Sequence, residues 1–369
     1  MSVDFEGEGL LAGLEGPARA ERIALLEELV ERGVPLAELR RHAAHGTLVF
    51  LAGESAIAGT RRYSAAQVAE LAGVDVGFLL AARRAMGLVV PGPQERAYVQ
   101  ADIDAVRTAG LAQDAGISEE EMLEVIRTLG QGLARAAEAM RALALRLVLE
   151  PGAGEHELAR RYGLTAAELA PLVGPMATNL LTIHLREVGD SEGLSAADRA
   201  AGSLPGASQV AVCFADLVGF TRLGQVLSPY ELAALAARLE ELVSEVCEPP
   251  VRLVKTIGDA AMLTCPAPEP LTAAALELID LAAREGERFP ALRAGIAAGP
   301  ALARAGDWFG APVNLASRIT ALARPGSVLV ERAVRNELGG GYRLSFAGEH
   351  RLHGVREPVA LFRARRARI

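Results

Sequence analysis

Residues 214–224, FADLVGFTRLG, carry an apolar run straight into an acid. Val210, Ala211, Val212 and Cys213 precede Phe214 and Ala215, a short continuous hydrophobic stretch of the kind a fully buried strand shows. Asp216 ends it, and Gly219 opens a turn toward a helix. Taken alone, Asp216 reads as a turn aspartate capping the helix that follows. What lies on either side of it shifts that reading.

Downstream, strand-like stretches at 209–216, 251–265 (a pair), 292–299 and 327–331 alternate with helical patterns at 228–247, 271–287 and 312–323. This β-α-β-β-α-β order predicts a ferredoxin-like antiparallel sheet with helices on one face, followed by further elements. Upstream, residues 16–190 repeat apolar positions at helical spacing. Ser118 with Glu121 forms a capping box for a long helix that stops at Pro151-Gly152. Thr165 with Glu168 predicts a second helix start. Between the halves, DSEGLSAADRAAGSLPGA is small, polar and broken by glycine and proline. The expected architecture is α+β: a helical domain over 1–190, a linker over 191–207 and a ferredoxin-like domain over 208–369.

A chain of 369 residues suits two cores better than one, and its 51% hydrophobic content is ample for both. With 38 basic and 46 acidic residues the formal charge is −8, so no global field draws nucleic acid or an anionic membrane. An anionic ligand therefore needs a local positive site or metal ions. The N-terminus lacks the pattern of a signal peptide, and no charge-free apolar run approaches the ~18 residues of a spanning helix. Cys213, Cys247 and Cys265 form no CxxC pair and read as reduced thiols. A cytoplasmic protein without a membrane span is expected.

The second chemical block is RLVKTIGDAAMLTC, 252–265, a hairpin turning at Gly258-Asp259. In a ferredoxin-like sheet its strands lie beside the strand that Asp216 ends, so Asp216 and Asp259 converge at one edge. Two carboxylates there suit hard divalent ions. The backbone N–H groups of 218–221 would offer an anion cradle. The third block is GDWFGAPVNLASRIT, 306–320. Asn314 and Arg318 stand four apart and share one helix face. A guanidinium there suits phosphate, while Lys255 and Asp307 supply a donor and an acceptor fit for a purine edge.

These blocks, with HRLHGVREPVALFRAR closing the chain, resemble a class III nucleotidyl cyclase catalytic domain over residues 209–366. The resemblance implies conversion of ATP to 3′,5′-cyclic AMP and pyrophosphate. It makes Asp216, Asp259 and the Leu217 carbonyl ligands of two divalent metal ions, Mg2+ or Mn2+. It makes Lys255 and Asp307 the adenine contacts, Gly219, Phe220 and Thr221 the phosphate cradle, Asn314 the ribose contact and Arg318 the transition-state cation. All six side chains are of the adenylyl type, which favours ATP over GTP. The family shares its site between two chains, so a homodimer is implied. The upstream half is more distantly similar to the helical regulatory domains of mycobacterial soluble adenylyl cyclases.

Regulation is open on the effector, a proton or an apolar small molecule. Six histidines are present, with His184 before the linker and His350 and His353 beside the closing strand. The apolar stripe Met122, Val125, Leu129, Leu133, Met140, Leu143 and Leu147 suits either its own domain's core or a dimer axis. A rival reading, a DNA-binding helix–turn–helix at 64–88, has only Arg83 and Arg84 as basic residues on its second helix, few for a phosphate backbone. No nucleic-acid partner is expected.

Overall fold

The computed structural model describes residues 3–191 and 206–367. The chain divides into two compact units, 1–193 and 194–369. Most of the expected linker, residues 192–205, lies outside the described residues.

The first unit is helical: α1 (Gly16–Glu31), α2 (Leu36–Ala44), α3 (Leu48–Ala58), α4 (Ala65–Ala72), α5 (Val76–Ala85), α6 (Gln100–Asp114), α7 (Glu119–Val148) and α8 (Glu155–Ser191). Leu25, Leu26, Leu29, Leu39, Leu48 and Leu51 make one core, and Val68, Leu79, Tyr98, Ile103 and Val106 another. The Ser118 box forms as expected, with the hydroxyl accepting from the Glu121 N–H and the Glu121 carboxylate accepting from the Ser118 N–H at 2.9 Å. The Thr165 start does not form. Helix α8 runs unbroken through Thr165 because its registry is set earlier, at Glu155, and its N-terminal part is packed against α3. There Gly53 is required by close approach: a Cβ on it would sit 2.5 Å from the Tyr162 ring.

Helices α4 and α5 meet at 106°, with Gly73 in the left-handed region at the turn. Arg83 is consumed internally. It pairs with Asp102, donates to the Val89 carbonyl at 2.8 Å and lies 4.8 Å over the Tyr98 ring. A phosphate backbone would find only Arg84 exposed on α5. Among the described residues no single helix is long and apolar enough to cross a membrane.

The second unit is built on β1 (Ser208–Leu217), α9 (Phe220–Leu223), α10 (Pro229–Val246), β2 (Arg252–Ile257), β3 (Ala260–Cys265), α11 (Pro268–Arg284), β4 (Leu292–Arg304), β5 (Asp307–Gly310), α12 (Ala311–Leu322), β6 (Ser327–Glu331), α13 (Arg332–Glu337), β7 (Tyr342–His350) and β8 (Val359–Arg366). The sheet order is β2-β3-β1-β4-β6-β8-β7, with β5 pairing off β4. Its β4-β1-β3-β2 part has the expected antiparallel ferredoxin-like order, and the β4–β6 pair is parallel.

One detail differs from expectation: helices cover both faces. Alternate residues of β1 separate into two cores. Ala211, Cys213 and Ala215 pack with Leu239, Leu242 and Leu278 of α10 and α11, whereas Val210 and Val212 pack with Ala316 and Ile319 of α12. A strand buried on both faces reads as a continuous apolar run, which is what 210–215 shows.

Candidate active site

Asp216 is the penultimate residue of β1, opposite Ala260 of β3 and Arg293 of β4. Gly258, at φ 60°, makes the β2–β3 turn, and the Leu217 N–H donates to the Asp259 carbonyl at 3.0 Å. That bond ties the hairpin turn to the end of β1 and sets Asp259 beside Asp216. Burial pushes the Asp259 carboxyl above the usual carboxylate range. The neighbouring Asp216 adds to the shift, and Asp259's own backbone N–H and Arg293 oppose it.

Gly219, at φ 80°, turns the chain into the single helical turn of α9. The expected cradle is narrower than residues 218–221, because the Val218 N–H is spent on the Ala291 carbonyl at 2.9 Å. A cavity of about 430 Å3 opens here, lined by Asp216, Leu217, Gly219, Phe220, Thr221 and Asp259 together with Val218, Arg222, Gln225 and Arg293.

Arg293 is the residue that sequence reasoning missed. Its Nε and Nη2 both donate to Asp216 Oδ2, at 2.9 and 2.6 Å. Its Nη1 donates to the Ala321 carbonyl at 2.9 Å. A lone arginine at the head of the apolar run LRAGIAA was the available signal. Recognising it required the β1–β4 register.

Lys255 and Asp307 are brought together from β2 and β5 as an ion pair, each side chain about one-third exposed (32% and 33%). Asp307 Oδ1 also accepts the Trp308 N–H at 2.9 Å, so the carboxylate is held at both oxygens. Leu253 and Ile257 on β2, and Leu302 and Phe309 of the β4–β5 hairpin, are exposed apolar side chains on the strands that carry this pair.

Asn314 and Arg318 lie on α12, Asn314 exposed and Arg318 half-buried. Helix α12 is pressed onto the sheet at Gly295, where a Cβ would lie 2.3 Å from the Thr320 nitrogen. The Arg318 guanidinium rests on the β7–β8 connection, with Nη2 3.4 Å from where a Gly354 Cβ would be. Neither Asn314 nor Arg318 lines the Asp216–Asp259 cavity, and neither do Lys255 and Asp307.

Whether the acid pair suits metal ions turns on its donor set. Among the described residues no group of three or more acidic, histidine or cysteine side chains could hold a metal by itself. Two carboxylates beside an open, polar cavity are the donor set of an Mg2+- or Mn2+-type site, whose remaining ligands are water and substrate phosphate oxygens. The residues fit such ions.

The catalytic unit carries the arrangement of a nucleotidyl cyclase domain, and comparison with known proteins agrees. Residues 204–363 match the adenylate and guanylate cyclase catalytic domain, and residues 3–188 match the adenylate cyclase regulatory domain. A pH-sensitive adenylate cyclase of Mycobacterium tuberculosis is 44% identical over 98% of this chain and 92% of its own length. Adenylate cyclases of Streptomyces griseus and Streptomyces coelicolor are 36% and 35% identical, each over 75% of this chain and over 69% and 72% of their own lengths. The chain belongs to the class III adenylate cyclase family.

Proposed function

We propose that this chain converts ATP to 3′,5′-cyclic AMP and pyrophosphate in a homodimer with two shared sites, under the control of its helical unit. The carrying observation is the convergence of Asp216 and Asp259 at the cavity rim. The assignment that goes with it is a regulatory domain over 1–190, a linker over 191–207 and a catalytic domain over 208–369, in the cytoplasm.

Asp216 and Asp259, with the Leu217 carbonyl, would hold two divalent ions, Mg2+ or Mn2+. Bound there, such ions lower the pKa of the ribose 3′-hydroxyl and neutralise phosphate charge. The chain's own residues do the rest. The N–H groups of Gly219, Phe220 and Thr221 receive phosphate oxygens. Lys255 and Asp307 offer a cation and an acceptor, already oriented by each other, to the adenine edge. Asn314 orients the ribose so that the 3′-oxygen stands in line with the α-phosphorus, an entropic gain for an intramolecular displacement. Arg318 stabilises the charge that develops on the α-phosphate.

Dimerisation rests on Lys255, Asp307, Asn314 and Arg318 lying outside the lining of the Asp216–Asp259 cavity within one chain. A two-fold axis lets one chain's acid pair and Lys255–Asp307 pair meet the other chain's Asn314 and Arg318. The exposed Leu253, Ile257, Leu302 and Phe309 offer apolar surface for that contact. Mixing Asp216→Ala with Arg318→Ala chains tests it. Each variant alone should be nearly inactive with ATP and Mn2+, and the mixture should recover up to about a quarter of wild-type activity if chains re-pair at random. No recovery removes the shared site.

The helical unit as regulator draws on the pH-sensitive relative and on one internal contact. His156 Nε2 lies 2.7 Å from Glu28 Oε2, joining α8 to α1. His184 is exposed on α8, His350 lies 3.1 Å from the Ala347 carbonyl, and His353 is exposed between β7 and β8. Proton control predicts that cyclase activity of the full chain depends on pH more steeply than that of residues 206–369 alone. Matching profiles would remove it.

A further inference from the structure

The arginines at the end of β8 meet two different environments. Arg366 lies on the face that packs against α11, where it donates to Glu277 Oε2 at 2.6 Å and stands 3.8 Å from Asp280. Arg363 and Arg365 alternate onto the opposite face, the one on which Leu361 packs with Ala316 and Ile319 of α12. There the β7–β8 register sets Arg365 directly opposite Arg343, and Arg363 directly opposite Ser345. Opposed side chains on neighbouring strands have their Cβ atoms about 5 Å apart, and two residues along a strand span about 7 Å. Three guanidinium groups therefore share one small area of the ribbon. No described residue hydrogen-bonds to or pairs with the side chains of Arg343, Arg363 or Arg365, and the Arg363 Nε is buried without a hydrogen-bond partner. Like charges set opposite each other destabilise a sheet, and a buried unpaired donor adds to the cost.

We propose that this face of the β7–β8 ribbon is an anion site, outside the catalytic cavity, for a phosphate group of a small soluble molecule. An anion seated among the three side chains relieves the Arg343–Arg365 repulsion, which no acid of the chain does. Guanidinium forks match phosphate oxygens in both geometry and charge, and the exposed Ser345 hydroxyl offers a neutral donor beside them. The size of the anion follows from the charge of the whole chain. At −8 it repels a nucleic acid or an anionic bilayer, whose charge extends far beyond three side chains. A small phosphate-bearing anion feels the local cluster instead, because screening confines the field to a Debye length of about 8–10 Å. None of the three arginines lines the Asp216–Asp259 cavity, so the site is separate from ATP turnover and does not depend on that reading. Arginines kept only for solubility would gain nothing from facing one another, whereas Arg366, on the other face, has its acids.

The experiment is calorimetric titration of the full chain with inorganic tripolyphosphate, in EDTA so that no metal ion bridges it to Asp216 and Asp259. Wild type is compared with the double variant Arg343→Ser, Arg365→Ser and with Arg318→Ala. Wild type should bind, and the double variant should bind at least about tenfold more weakly, as the loss of two charge-assisted contacts requires. Arg318→Ala should bind like wild type. Tripolyphosphate should also raise the melting temperature of wild type and leave that of the double variant unmoved. If the double variant does not fold, Arg365→Gln alone carries the same test, with a loss of at least about threefold. Absence of binding by wild type overturns the site, and so does undiminished binding by the variant. A loss in Arg318→Ala equal to that in the arginine variant overturns it as well, since the anion would then lie in the catalytic site. Binding of duplex DNA or of phosphatidylglycerol vesicles that the arginine variant loses, with no response to tripolyphosphate, would replace the small anion by an extended one and overturn the proposal too.

Discussion

The two units solve different problems with similar material. In the catalytic unit a sheet buried on both faces draws distant segments into contact: β1, the β2–β3 turn and β4 bring Asp216, Asp259 and Arg293 to one rim. In the helical unit long helices leave apolar surface uncovered. Val125, Leu129, Leu133, Leu143 and Leu147 on α7 are exposed, and so are Leu172, Met176, Leu180, Ile183 and Leu185 on α8. Their own unit does not bury them, so the α7 stripe is not core. A sheet satisfies itself by register, whereas a helix of 30 or 37 residues extends beyond what a small core can cover. The acid pair and its arginine therefore sit in the first kind of unit, while the second leaves long apolar helix faces exposed.

The largest effect that sharpens this contrast is at the acid pair. Asp259→Asn should lower cyclase activity by about a thousandfold, the worth of several kcal/mol of charge stabilisation, with little change in melting temperature. A loss under tenfold in a purified cAMP assay would place the chemistry elsewhere. Next comes Gly295→Ala, which drives a methyl group into α12. It should cost about 3 kcal/mol of catalytic-unit stability, measured by denaturant unfolding, and reduce activity through displacement of Asn314 and Arg318. Unfolding unchanged from wild type would mean that α12 is seated more loosely than the 2.3 Å approach requires.

The helical unit offers smaller, local increments. Ser118→Ala should remove about 1 kcal/mol through loss of the α7 cap. Glu28→Gln should show a comparable loss with a pH signature. Burial raises the Glu28 carboxyl, but the hydrogen bond to His156 and the contact with Arg32 more than offset it and hold Glu28 below the ordinary carboxylate range. A depressed folded-state pKa means stability present above the unfolded value and lost as pH falls through the folded one. The variant should therefore be less stable than wild type by about 1 kcal/mol near neutrality and should converge with it as pH falls through the depressed folded-state value. Parallel stability curves down to low pH would show that Glu28 is not the linked group.

Much of this was legible in the linear chain, for local reasons. Periodicity announced α7, α10 and the strand pair, and the Ser118 box that starts α7 is closed by a residue three positions away. The apolar run at 210–215 gave away a buried strand, and Asp216, Lys255, Asp259, Asp307, Asn314 and Arg318 stood out by residue type and order. Thr165-x-x-Glu168 misled because its pattern is local while α8 is continuous through it, packed against α3. Covering of both sheet faces was written into the unbroken hydrophobicity of β1, but periodicity does not say which helix takes which face.

By itself, then, the sequence determined the element order, the two-part organisation and the identities of the acids and cations, because these depend on neighbours along the chain. The tertiary structure decided the pairings across it. Arg293 lies 77 positions from Asp216 and meets it through the β1–β4 register, and Lys255 lies 52 from Asp307 on a strand it does not pair with, so each pair exists only in the folded sheet. Helix packing decided that Arg83 faces Asp102 rather than a ligand, and that the α7 leucines face outward. Charges find partners through space, and only the folded chain says which carboxylate each guanidinium meets.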